Sequence, residues 1–488
     1  MMSSNQSQKA SKSDRPKVVI VGGGFGGLYA ARGLAHAPVQ VTIIDRVNYH
    51  LFRPMLYQVA TGLLSADEIA APIRSILSKQ KNVDVLMEEV IGVDTSKRLV
   101  RTREAEISYD YLILATGIKY NYFGHDEWKV LAPGLDSVDD ADHIRGKILT
   151  AFEEAERLAA GAGSNKEPHN GVTEARPATE AESEETQEGH SEGTVKKLLT
   201  FVLVGAGTAG VEMAGTIAEM ARMALARDFR HIDPRSAHII LFEAGPRILP
   251  TYPEKLAAKA RAHLESLGVD IRVGVKVERV DDQGVIANGE RISSRTVLWS
   301  AGVTASGAGR WIGAETDRAG RIKVGPDLSV PGHPELFAIG DTALVTAYSR
   351  NILGFKSRSA APLPGVAQPA IQGGKYVASV IKRRVTGKSA PAPFWYWDKG
   401  NLAIVGRTFA VADLNVVKLS GLPAWAIWIG VHIFFLIGFA NRLLVMLQWS
   451  ISFLTKRRGV RIFPMSDRTA VRDREAKTAA SAKRGQVG

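Results

Sequence analysis

A glycine fingerprint occurs twice in this chain, each time between a short strand-like run and an Ala-rich, helix-like stretch. The first copy, GGGFGG, follows KVVIV and has its spaced glycines at Gly22, Gly24 and Gly27. The second copy, GAGTAG, follows LLTFVLV and has them at Gly205, Gly207 and Gly210. A strand, Gly-x-Gly-x-x-Gly and a helix in this order are typical of a dinucleotide-binding unit, in which a pyrophosphate lies at the helix N-terminus. One copy is a weak signal, but two copies predict an α/β chain with two Rossmann-like dinucleotide-binding domains.

An acidic residue closes the next strand-like run after each fingerprint. In the first copy VQVTIID ends on Asp45, 23 residues after Gly22, and Arg46 follows it. In the second copy AHIILFE ends on Glu243, 38 residues after Gly205. The intervening ARMALARDFRHIDPRSA predicts a lengthened helix and a loop, which explain the wider spacing. A carboxylate at this position binds ribose hydroxyls.

Glu243 also predicts which nucleotide the second copy binds. Its carboxylate would repel a 2′-phosphate, which favours NADH over NADPH. Arg247, four residues on, could soften this preference. The alternative interpretation is that Asp45 and Glu243 are ordinary acids at strand ends.

Three further apolar runs end in turns: YDYLILATG, RTVLWSAGV and ELFAIGDTA. In the last of them, Gly340 and Asp341 follow the apolar run directly. A carboxylate there can accept hydrogen bonds from a polyol such as the ribityl chain of a flavin. Gly-Asp alone is a very weak signal, but after two dinucleotide fingerprints it favours a flavin.

Composition excludes several kinds of chemistry. The chain has 488 residues and no cysteine, so disulfide frameworks, thiolate nucleophiles, redox dithiols and cysteine-ligated iron–sulfur clusters are excluded. The formal net charge of +12 favours an anionic partner, either lipid or nucleic acid. No recognition module for nucleic acid stands out in the sequence, so we expect no nucleic-acid partner.

A long apolar stretch lies near the end of the chain. The segment PAWAIWIGVHIFFLIGFA, residues 423–440, has 18 uncharged residues, and LLVMLQWSISFL follows shortly after. Residues 414–466 contain six Lys or Arg and no Asp or Glu. Tryptophans suited to a water–lipid boundary stand at Trp425, Trp428 and Trp449. We predict helices that lie in an anionic lipid interface, with a spanning helix and a buried dimer interface as the alternatives.

Seven motifs in a fixed order carry a resemblance to a known family. They are VGGGFGG, NYHLFRPMLYQVATGLL, NYFGHDEW, GAGTAGVEMAG, FAIGDTA, LPGVAQPAIQGGKY and DKGNLAIVGR. Over residues 17 to about 463 the chain is similar to the two-dinucleotide-binding-domain flavoproteins, and it specifically resembles the type II NADH:quinone oxidoreductases. VAQPAIQ beside GVEMAG and the DKG segment is specific to this group, whereas the glycine motifs are shared more widely. Without cysteines, the chain cannot be a disulfide reductase or a sulfide:quinone oxidoreductase of the same fold.

The resemblance implies a membrane-associated flavoenzyme. Such an enzyme transfers two electrons from NADH through FAD to a membrane quinone (ubiquinone or menaquinone) of a respiratory chain. FAD is the implied cofactor, no metal is required, and we expect the reaction to proceed without ion pumping. The implied protein is a homodimer, peripheral and monotopic, on anionic lipid at the cytoplasmic face of the inner or plasma membrane.

The resemblance also implies roles for three residues. Glu212, in AGVEMAG, would lie beside the flavin where nicotinamide stacks, with a catalytic role; otherwise it is a helix-surface carboxylate. Gln368 and Gln372 share one face of a predicted helix, where their amides would hydrogen-bond the quinone carbonyls. Otherwise they form a solvated polar face. The positive end of this helix would stabilise the anionic reduced flavin.

The remaining implied contacts belong to the two nucleotides. The flavin contacts are Gly22, Gly24, Phe25, Gly26, Gly27, Asp45, Arg46, Val90, Ala115, Thr116, Gly117, Gly340, Asp341, Val366, Ala367, Gln368 and Ile371. The NADH contacts are Gly205, Gly207, Gly210, Glu212 and Glu243.

The predicted organisation has seven parts. They are a disordered leader (1–16), the first part of the FAD-binding domain (17–160), a disordered acidic insert (161–195), the NADH-binding domain (196–293), the second part of the FAD-binding domain with the quinone-site helix (294–390), a membrane-association region (391–466) and a disordered basic tail (467–488). The insert is polar and nearly free of large apolar residues, so it cannot offset the entropy of ordering.

Two other functions fit parts of the pattern. One is a soluble NADH-dependent reductase of ferredoxin or rubredoxin with the same fold. The other is a non-enzymatic, membrane-bound flavoprotein that senses NADH. The first predicts a protein that stays in solution without detergent, and the second predicts slow turnover with any quinone.

Overall fold

The computed structural model describes residues 15–164, 191–357 and 359–455, with all side chains in these ranges except those of 162–164, 439–440 and 452–454. The described helices are α1 (Phe25–Gly33), α2 (Leu56–Ala60), α3 (Ala66–Ile69), α4 (Ile73–Leu77), α5 (Trp128–Leu131), α6 (Val138–Ser164), α7 (residues 191–198), α8 (Thr208–Glu219), α9 (Glu254–Ser266), α10 (Ala308–Trp311), α11 (Ala367–Val385), α12 (Leu422–Phe435) and α13 (Phe439–Thr455).

The strands are short and belong to several sheets. They are β1 (Lys17–Val21), β2 (Gln40–Asp45), β3 (Tyr49–Leu51), β4 (Ala70–Pro72), β5 (Val83–Met87), β6 (Val90–Asp94), β7 (Leu99–Thr102), β8 (Glu106–Ser108), β9 (Tyr111–Leu114), β10 (Ile118–Tyr120), β11 (Thr200–Val204), β12 (His238–Glu243), β13 (Val269–Val273), β14 (Val277–Asp281), β15 (Gly284–Ala287), β16 (Glu290–Ser293), β17 (Thr296–Trp299), β18 (Val303–Ala305), β19 (Ile322–Lys323), β20 (Ser329–Val330), β21 (His333–Ala338), β22 (Ala343–Leu344), β23 (Thr346–Arg350), β24 (Ala361–Pro362), β25 (Trp395–Trp397), β26 (Asn401–Ile404), β27 (Ala410–Asp413) and β28 (Lys418–Gly421).

The first dinucleotide-binding domain is built on a six-stranded sheet of order β20-β21-β9-β1-β2-β5. The strands are parallel except for β20, which pairs antiparallel with β21. Residues 18–21 of β1 and 112–114 of β9 are buried, as expected for parallel strands covered by helices on both faces. The first fingerprint lies between β1 and α1, at the carboxyl end of an inner strand, where ligands bind in sheets of this kind.

The second domain is built on a parallel sheet of order β13-β12-β11-β17. The predicted domain boundary at residue 293 is wrong by one strand, because β17 pairs with β11 in this sheet. The apolar run RTVLWS predicts a strand, but it carries no information on which sheet the strand joins. The predicted lengthened helix before Glu243 agrees with α8, which continues as a wider helical turn over Met220–Ala224.

Residues at both ends of the predicted acidic insert, 161–195, belong to helices. Residues 161–164 end α6, and residues 191–195 lie in α7. Helix α7 forms because Leu198 is buried and Val195 packs against the apolar core beside β11. Residues 165–190, the leader up to residue 14 and the tail 467–488 lie outside the described residues.

Helices α1 and α11 approach each other through small residues. A Cβ on Gly374 would lie 2.3 Å from the carbonyl oxygen of Gly26, and a Cβ on Gly33 would lie 2.6 Å from Cβ of Ala378. The first turn of α11 is also near, because the Ala370 carbonyl oxygen lies 3.6 Å from a Cβ on Gly26. The first turns of the two helices therefore meet near the carboxyl end of β1.

The C-terminal region combines an antiparallel sheet, β26-β27-β28, with α12 and α13. Trp428 and Val445 are buried in an apolar core that also contains Leu56 of α2. The Trp449 indole N–H donates to Oε1 of Gln58 at 2.8 Å, so α13 is tied to the same helix. In the part of the chain that the structure describes, no helix combines the length and apolarity needed to cross a membrane.

The outer side of α12 and α13 is apolar and exposed. Its exposed large side chains are Leu422, Val431, Phe434, Leu443, Leu444, Met446, Leu447 and Ile451. Contiguous apolar patches of this kind mark interaction surfaces.

Candidate active site

The first fingerprint forms a turn that requires glycine. Gly22 has φ +106°, and a Cβ on it would lie 2.3 Å from the carbonyl oxygen of Ala115. A Cβ on Gly27 would lie 1.8 Å from the carbonyl oxygen of Gly22, so α1 packs directly on the turn. Gly24 has nothing within 4 Å of a Cβ, which leaves room for a pyrophosphate at the N-terminus of α1. The residues present therefore fit a dinucleotide at this position.

Asp45 lies beside this turn at the end of β2. Its Oδ2 accepts the Gly23 N–H at 2.5 Å, and its Oδ1 accepts the Val47 N–H at 3.0 Å. Burial raises the pKa of Asp45, and the two backbone hydrogen bonds oppose that rise. The neighbouring Arg46 is exposed. The carboxyl group thus faces the fingerprint, which is the position required for binding ribose hydroxyls.

His50 also contacts the fingerprint. Its Nδ1 donates to the carbonyl oxygen of Gly23 at 2.9 Å, and its ring packs edge-on against Phe25 with centroids 5.0 Å apart. Burial lowers the pKa of His50 to about 4, so the ring is neutral near pH 7. Its Nε2 is buried without a hydrogen-bond partner among the described residues, which leaves one acceptor for a donor on a bound molecule.

Three segments converge at the carboxyl ends of the inner strands, next to this turn. Gly117 donates its N–H to Oγ1 of Thr342 at 2.9 Å, and the Thr116 hydroxyl lies 3.2 Å from the same oxygen. Gly340 has φ +62°, and a Cβ on it would lie 3.0 Å from Cβ of Ala370 in α11. The end of β9, the Gly-Asp turn and the start of α11 therefore surround one space.

Two polar side chains in this space suit a flavin. Burial raises the pKa of Asp341, while Arg53 and Arg321 lower it. The Oε1 of Gln368 is buried and has no hydrogen-bond partner among the described residues. Because buried acceptors are rarely left unpaired, this oxygen fits an N–H or O–H group of a bound molecule. The helix α11 begins here, at Ala367, so its free N–H groups face the same space.

The second fingerprint repeats the geometry of the first. Gly205 has φ +99°, and a Cβ on it would lie 2.6 Å from the backbone nitrogen of Ala301. A Cβ on Gly210 would lie 1.9 Å from the Gly205 carbonyl oxygen, while Gly207 has nothing within 4 Å. The second turn therefore also leaves room for a pyrophosphate, at the N-terminus of α8.

Glu243 occupies the position that Asp45 has in the first domain. Its Oε2 accepts the Ala206 N–H at 2.8 Å, and its Oε1 accepts the Gly245 N–H at 2.8 Å. The guanidinium of Arg247 donates to the carbonyl oxygens of Leu249, Pro250 and Tyr252. Because Arg247 is held by its own loop, it is poorly placed to bind a 2′-phosphate.

Glu212 lies in α8 and is 7% exposed. Its Oε1 accepts the N–H of Ile404 at 3.4 Å. Burial raises the pKa of Glu212 well above its usual value of 4.5, and the Ile404 N–H opposes that rise. Two turns further along α8, Glu219 accepts the Arg407 N–H at 2.5 Å. The side chain of Glu212 is therefore a buried acid under β26, not a carboxylate on a helix surface.

Gln372 is bonded to the backbone of Trp397. Its Nε2 donates to the Trp397 carbonyl oxygen and its Oε1 accepts the Trp397 N–H, both at 2.9 Å. The ammonium of Lys399 lies 5.0 Å from the ring centroids of both Trp397 and Phe435. The first turns of α11 are thus connected through Trp397 and Lys399 to the apolar helix α12.

The structure brings most of the predicted site residues into two clusters, one at each fingerprint. Gln368 and Gln372 lie one turn apart in α11, as predicted. Val90, at the start of β6, and Ile371, in the first turn of α11, are buried. The roles of these residues toward a bound nucleotide or quinone stay predictions.

Comparison with known proteins gives the family. Residues 16–374 match the family described as pyridine nucleotide-disulphide oxidoreductase, and residues 397–458 match the NDH2 C-terminal domain. The chain is 43% identical over 474 residues to the type II NADH:quinone oxidoreductase Ndh of Mycobacterium tuberculosis, over 94% of this chain and 92% of that protein. The chain belongs to the type II NADH:quinone oxidoreductases.

Two further similarities agree with this membership. The type II NADH:quinone oxidoreductase NdhA of the same organism is 39% identical over 475 residues, covering 94% of this chain and 91% of that protein. The solved structure of NDH2 from Plasmodium falciparum in complex with NADH has the same fold, with a TM-score of 0.74 and 21% identity over 91% of this chain and 99% of that one. The predicted two-domain fold, family and enzyme class of this type II NADH:quinone oxidoreductase are confirmed, as are FAD as cofactor and NADH and quinone as substrates. Membrane association is likewise a property of these enzymes.

Three residues that contact the candidate sites of this type II NADH:quinone oxidoreductase were not among the predicted site residues. His50 contacts the first fingerprint, and Trp397 and Lys399 flank Gln372. His50 and Lys399 lie in the motifs NYHLFRPMLYQ and DKGNLAIVGR, and Trp397 directly precedes the second. The signal was therefore present, but a motif alone does not say which of its side chains faces the site.

Proposed function

We propose that FAD occupies the first fingerprint, that NADH occupies the second, and that a membrane quinone is reduced where α11 meets the C-terminal helices. FAD supplies the two-electron chemistry that links NADH oxidation to quinone reduction. The observation that carries this arrangement is the chain of contacts from Gln372 through Trp397 and Lys399 to Phe435. It joins the helix that begins at the flavin space to the exposed apolar helices.

The site at the second fingerprint is specific for NADH in this proposal. Glu243 presents a carboxylate beside the fingerprint turn, where it would accept the ribose hydroxyls and repel a 2′-phosphate. Arg247, the cation that could compensate, already donates to three carbonyl oxygens of its own loop.

Glu212 contributes a buried acid to the NADH side. Its raised pKa favours the neutral form, so it can donate a hydrogen bond and adds no negative charge where hydride leaves NADH. The Gln368 oxygen and the N-terminal N–H groups of α11 contribute an acceptor and a positive helix end on the flavin side. These groups hold and polarise the bound molecules, and no described residue is required as a nucleophile.

Gln372 positions the quinone side. Its amide holds the backbone of Trp397, and Lys399 lies against that indole ring. A quinone carbonyl that enters here meets one remaining amide hydrogen of Gln372 and the ammonium of Lys399 as donors.

The exposed apolar side of α12 and α13 is the proposed lipid-contacting surface. The sequence from residue 414 to 466 contributes cations and no carboxylates, so the surface matches anionic lipid. Because NADH is water-soluble and a long-chain quinone dissolves only in lipid, we expect the protein at the surface of a membrane. We expect that surface to be the cytoplasmic face of the inner or plasma membrane. The same lack of carboxylates leaves no acidic relay in this segment, and we expect electron transfer without ion pumping. A homodimer remains a prediction.

A steady-state assay tests the proposal. Purified protein should oxidise NADH with a water-soluble quinone analogue, prefer NADH to NADPH, and release FAD on denaturation. Preference for NADPH would contradict the role of Glu243. Turnover that requires ferredoxin or rubredoxin, or that stays slow with every quinone, would contradict the quinone site.

A further inference from the structure

The hairpin that joins β23 to β24 exposes three large apolar side chains at its tip. Leu353 is 62% exposed, Phe355 is 67% exposed and Ile352 is 39% exposed. Monomeric soluble proteins rarely place such side chains together in water, so this tip calls for a binding partner.

The tip is held in a defined shape by its backbone. Asn351 accepts the Leu353 and Phe355 N–H groups on its side-chain oxygen, at 3.1 and 3.0 Å, and donates its own N–H to the Phe355 carbonyl oxygen at 3.0 Å. Gly354 has φ +85°, which glycine adopts without strain. These local bonds define the backbone of the loop, and in this conformation its apolar side chains are exposed.

The charge around the tip is positive. Arg350 and Lys356 face each other across the hairpin, and both cations lie over the ring of Trp395, at 5.0 and 5.6 Å from its centroid. From residue 342 to residue 397 the sequence contains no Asp or Glu, and the next acid, Asp398, lies at the base of the hairpin, where its N–H donates to the Arg350 carbonyl oxygen at 2.7 Å. An apolar tip with cations at its base is complementary to an anionic bilayer, with acyl chains for the tip and phosphates for the cations.

The hairpin is continuous with the C-terminal apolar helices. Strand β23 pairs with β25 so that Arg350 lies beside Trp397. Trp397 is 53% exposed, and Lys399 connects it to Phe435 of α12. The tip, Trp397 and α12 therefore follow one another along the surface around Gln372.

We infer that the 351–356 hairpin is a second lipid-binding element, which inserts its tip into the same anionic bilayer surface as α12 and α13. This inference rests on the proposed membrane docking of the enzyme. Two separate lipid contacts, one on the hairpin and one on α12 and α13, would fix the orientation of the protein on the bilayer, so that the quinone side faces the lipid. A single pair of surface helices would leave the enzyme free to tilt.

The test uses the full-length FAD-loaded protein with the double substitution Leu353→Ser and Phe355→Ser. Flotation with vesicles of phosphatidylcholine and phosphatidylglycerol measures binding, and we expect a loss of roughly tenfold for each side chain. Turnover with a long-chain quinone in the vesicles should fall, while turnover with a water-soluble quinone should stay unchanged. Met223→Ser, which removes an exposed apolar side chain of the second domain, is the matched control and should float like the wild type.

A second variant, Lys356→Gln, should weaken binding to these vesicles and leave binding to pure phosphatidylcholine unchanged. Wild-type flotation and long-chain quinone turnover in the double variant would overturn the inference. Unchanged flotation with an altered molar mass in light scattering would assign the tip to a second copy of the chain instead. If the wild type itself neither floats nor reduces quinone, the proposed function fails first, and the inference fails with it.

Discussion

Replacing Gln372 with Ala removes both hydrogen bonds that fix the backbone of Trp397 against α11. A hydrogen bond contributes about 0.5–1.5 kcal/mol net, and at an exposed pair water replaces part of the loss, so the two together should be worth about 1–2 kcal/mol. If quinone reduction needs Trp397 and Lys399 in their observed positions, this free energy lowers the equilibrium constant between the competent and the displaced arrangement by about five- to thirtyfold, which is the upper limit for the fall in the competent population.

Stopped-flow spectroscopy separates the two half-reactions of Gln372→Ala. Reduction of the flavin by NADH should keep its wild-type rate, because Glu243, Glu212 and the second fingerprint are untouched. Oxidation of the reduced flavin by quinone should slow measurably, by up to about thirtyfold.

The matched control is Tyr376→Phe. Tyr376 lies one turn further along α11 and donates to the carbonyl oxygen of Ala392 at 2.9 Å, so this variant loses a hydrogen bond between α11 and the same part of the chain. Its quinone half-reaction should stay at the wild-type rate. Equal slowing of both half-reactions in Gln372→Ala, or equal slowing in both variants, would refute the reasoning and give Gln372 a purely structural role.

Three further predictions concern other parts of the molecule. Replacing Glu243 with Gln removes the charge that repels a 2′-phosphate, so the ratio of kcat/KM for NADPH to that for NADH should rise by about tenfold or more. A wild type that already prefers NADPH would contradict this. Burial raises the pKa of Glu212 above its usual 4.5, so the native state keeps this proton to higher pH than the unfolded state, and the free energy of unfolding from this group falls as the pH rises from 4.5 through the native pKa. The side chain of Glu212→Gln stays neutral, so the stability of this variant relative to the wild type should increase over that range. Denaturant titrations from pH 5 to 9 measure this difference. If the stabilities of the two proteins change with pH in parallel, Glu212 is already ionised in the native state. Converting Lys456, Arg457 and Arg458, which lie outside the described residues, to Gln should weaken binding to anionic vesicles by about a hundredfold, at about 1 kcal/mol for each cation. The loss should grow with salt, whereas binding that survives high salt and an alkaline wash would support a spanning helix.

The local sequence predicted the geometry of the two fingerprint turns, because that geometry depends on residues that are close together in the chain. Gly22 and Gly205 need positive φ, and the acids Asp45 and Glu243 each stand at the end of the strand next to the fingerprint strand. The strand, the turn, the helix and the acid lie within a few dozen residues, so their spacing in the sequence is enough to predict how they are arranged.

Contacts between distant segments could not be predicted in the same way. Glu212 is covered by Ile404, 192 residues later, and the Gln372–Trp397 pairing joins a helix to a strand 25 residues away. The boundary error at residue 293 has the same origin, since strand pairing is decided by tertiary packing. The apolar hairpin around Leu353 was missed because a short apolar run reads equally well as buried strand or exposed tip.

The two buried acids of α8 have a consequence for how the molecule can be divided. Glu212 and Glu219 are both nearly inaccessible to water, and both accept N–H groups from residues 404–407 of the C-terminal region. A chain cut before this segment would remove one backbone N–H donor from each acid, at about 0.5–1.5 kcal/mol for each lost hydrogen bond, and would take the buried residues 403–405 and 410–412 out of the same core. We therefore expect the C-terminal region and the NADH-binding domain to unfold together, so that removing or exchanging the C-terminal region would also destabilise the NADH-binding domain.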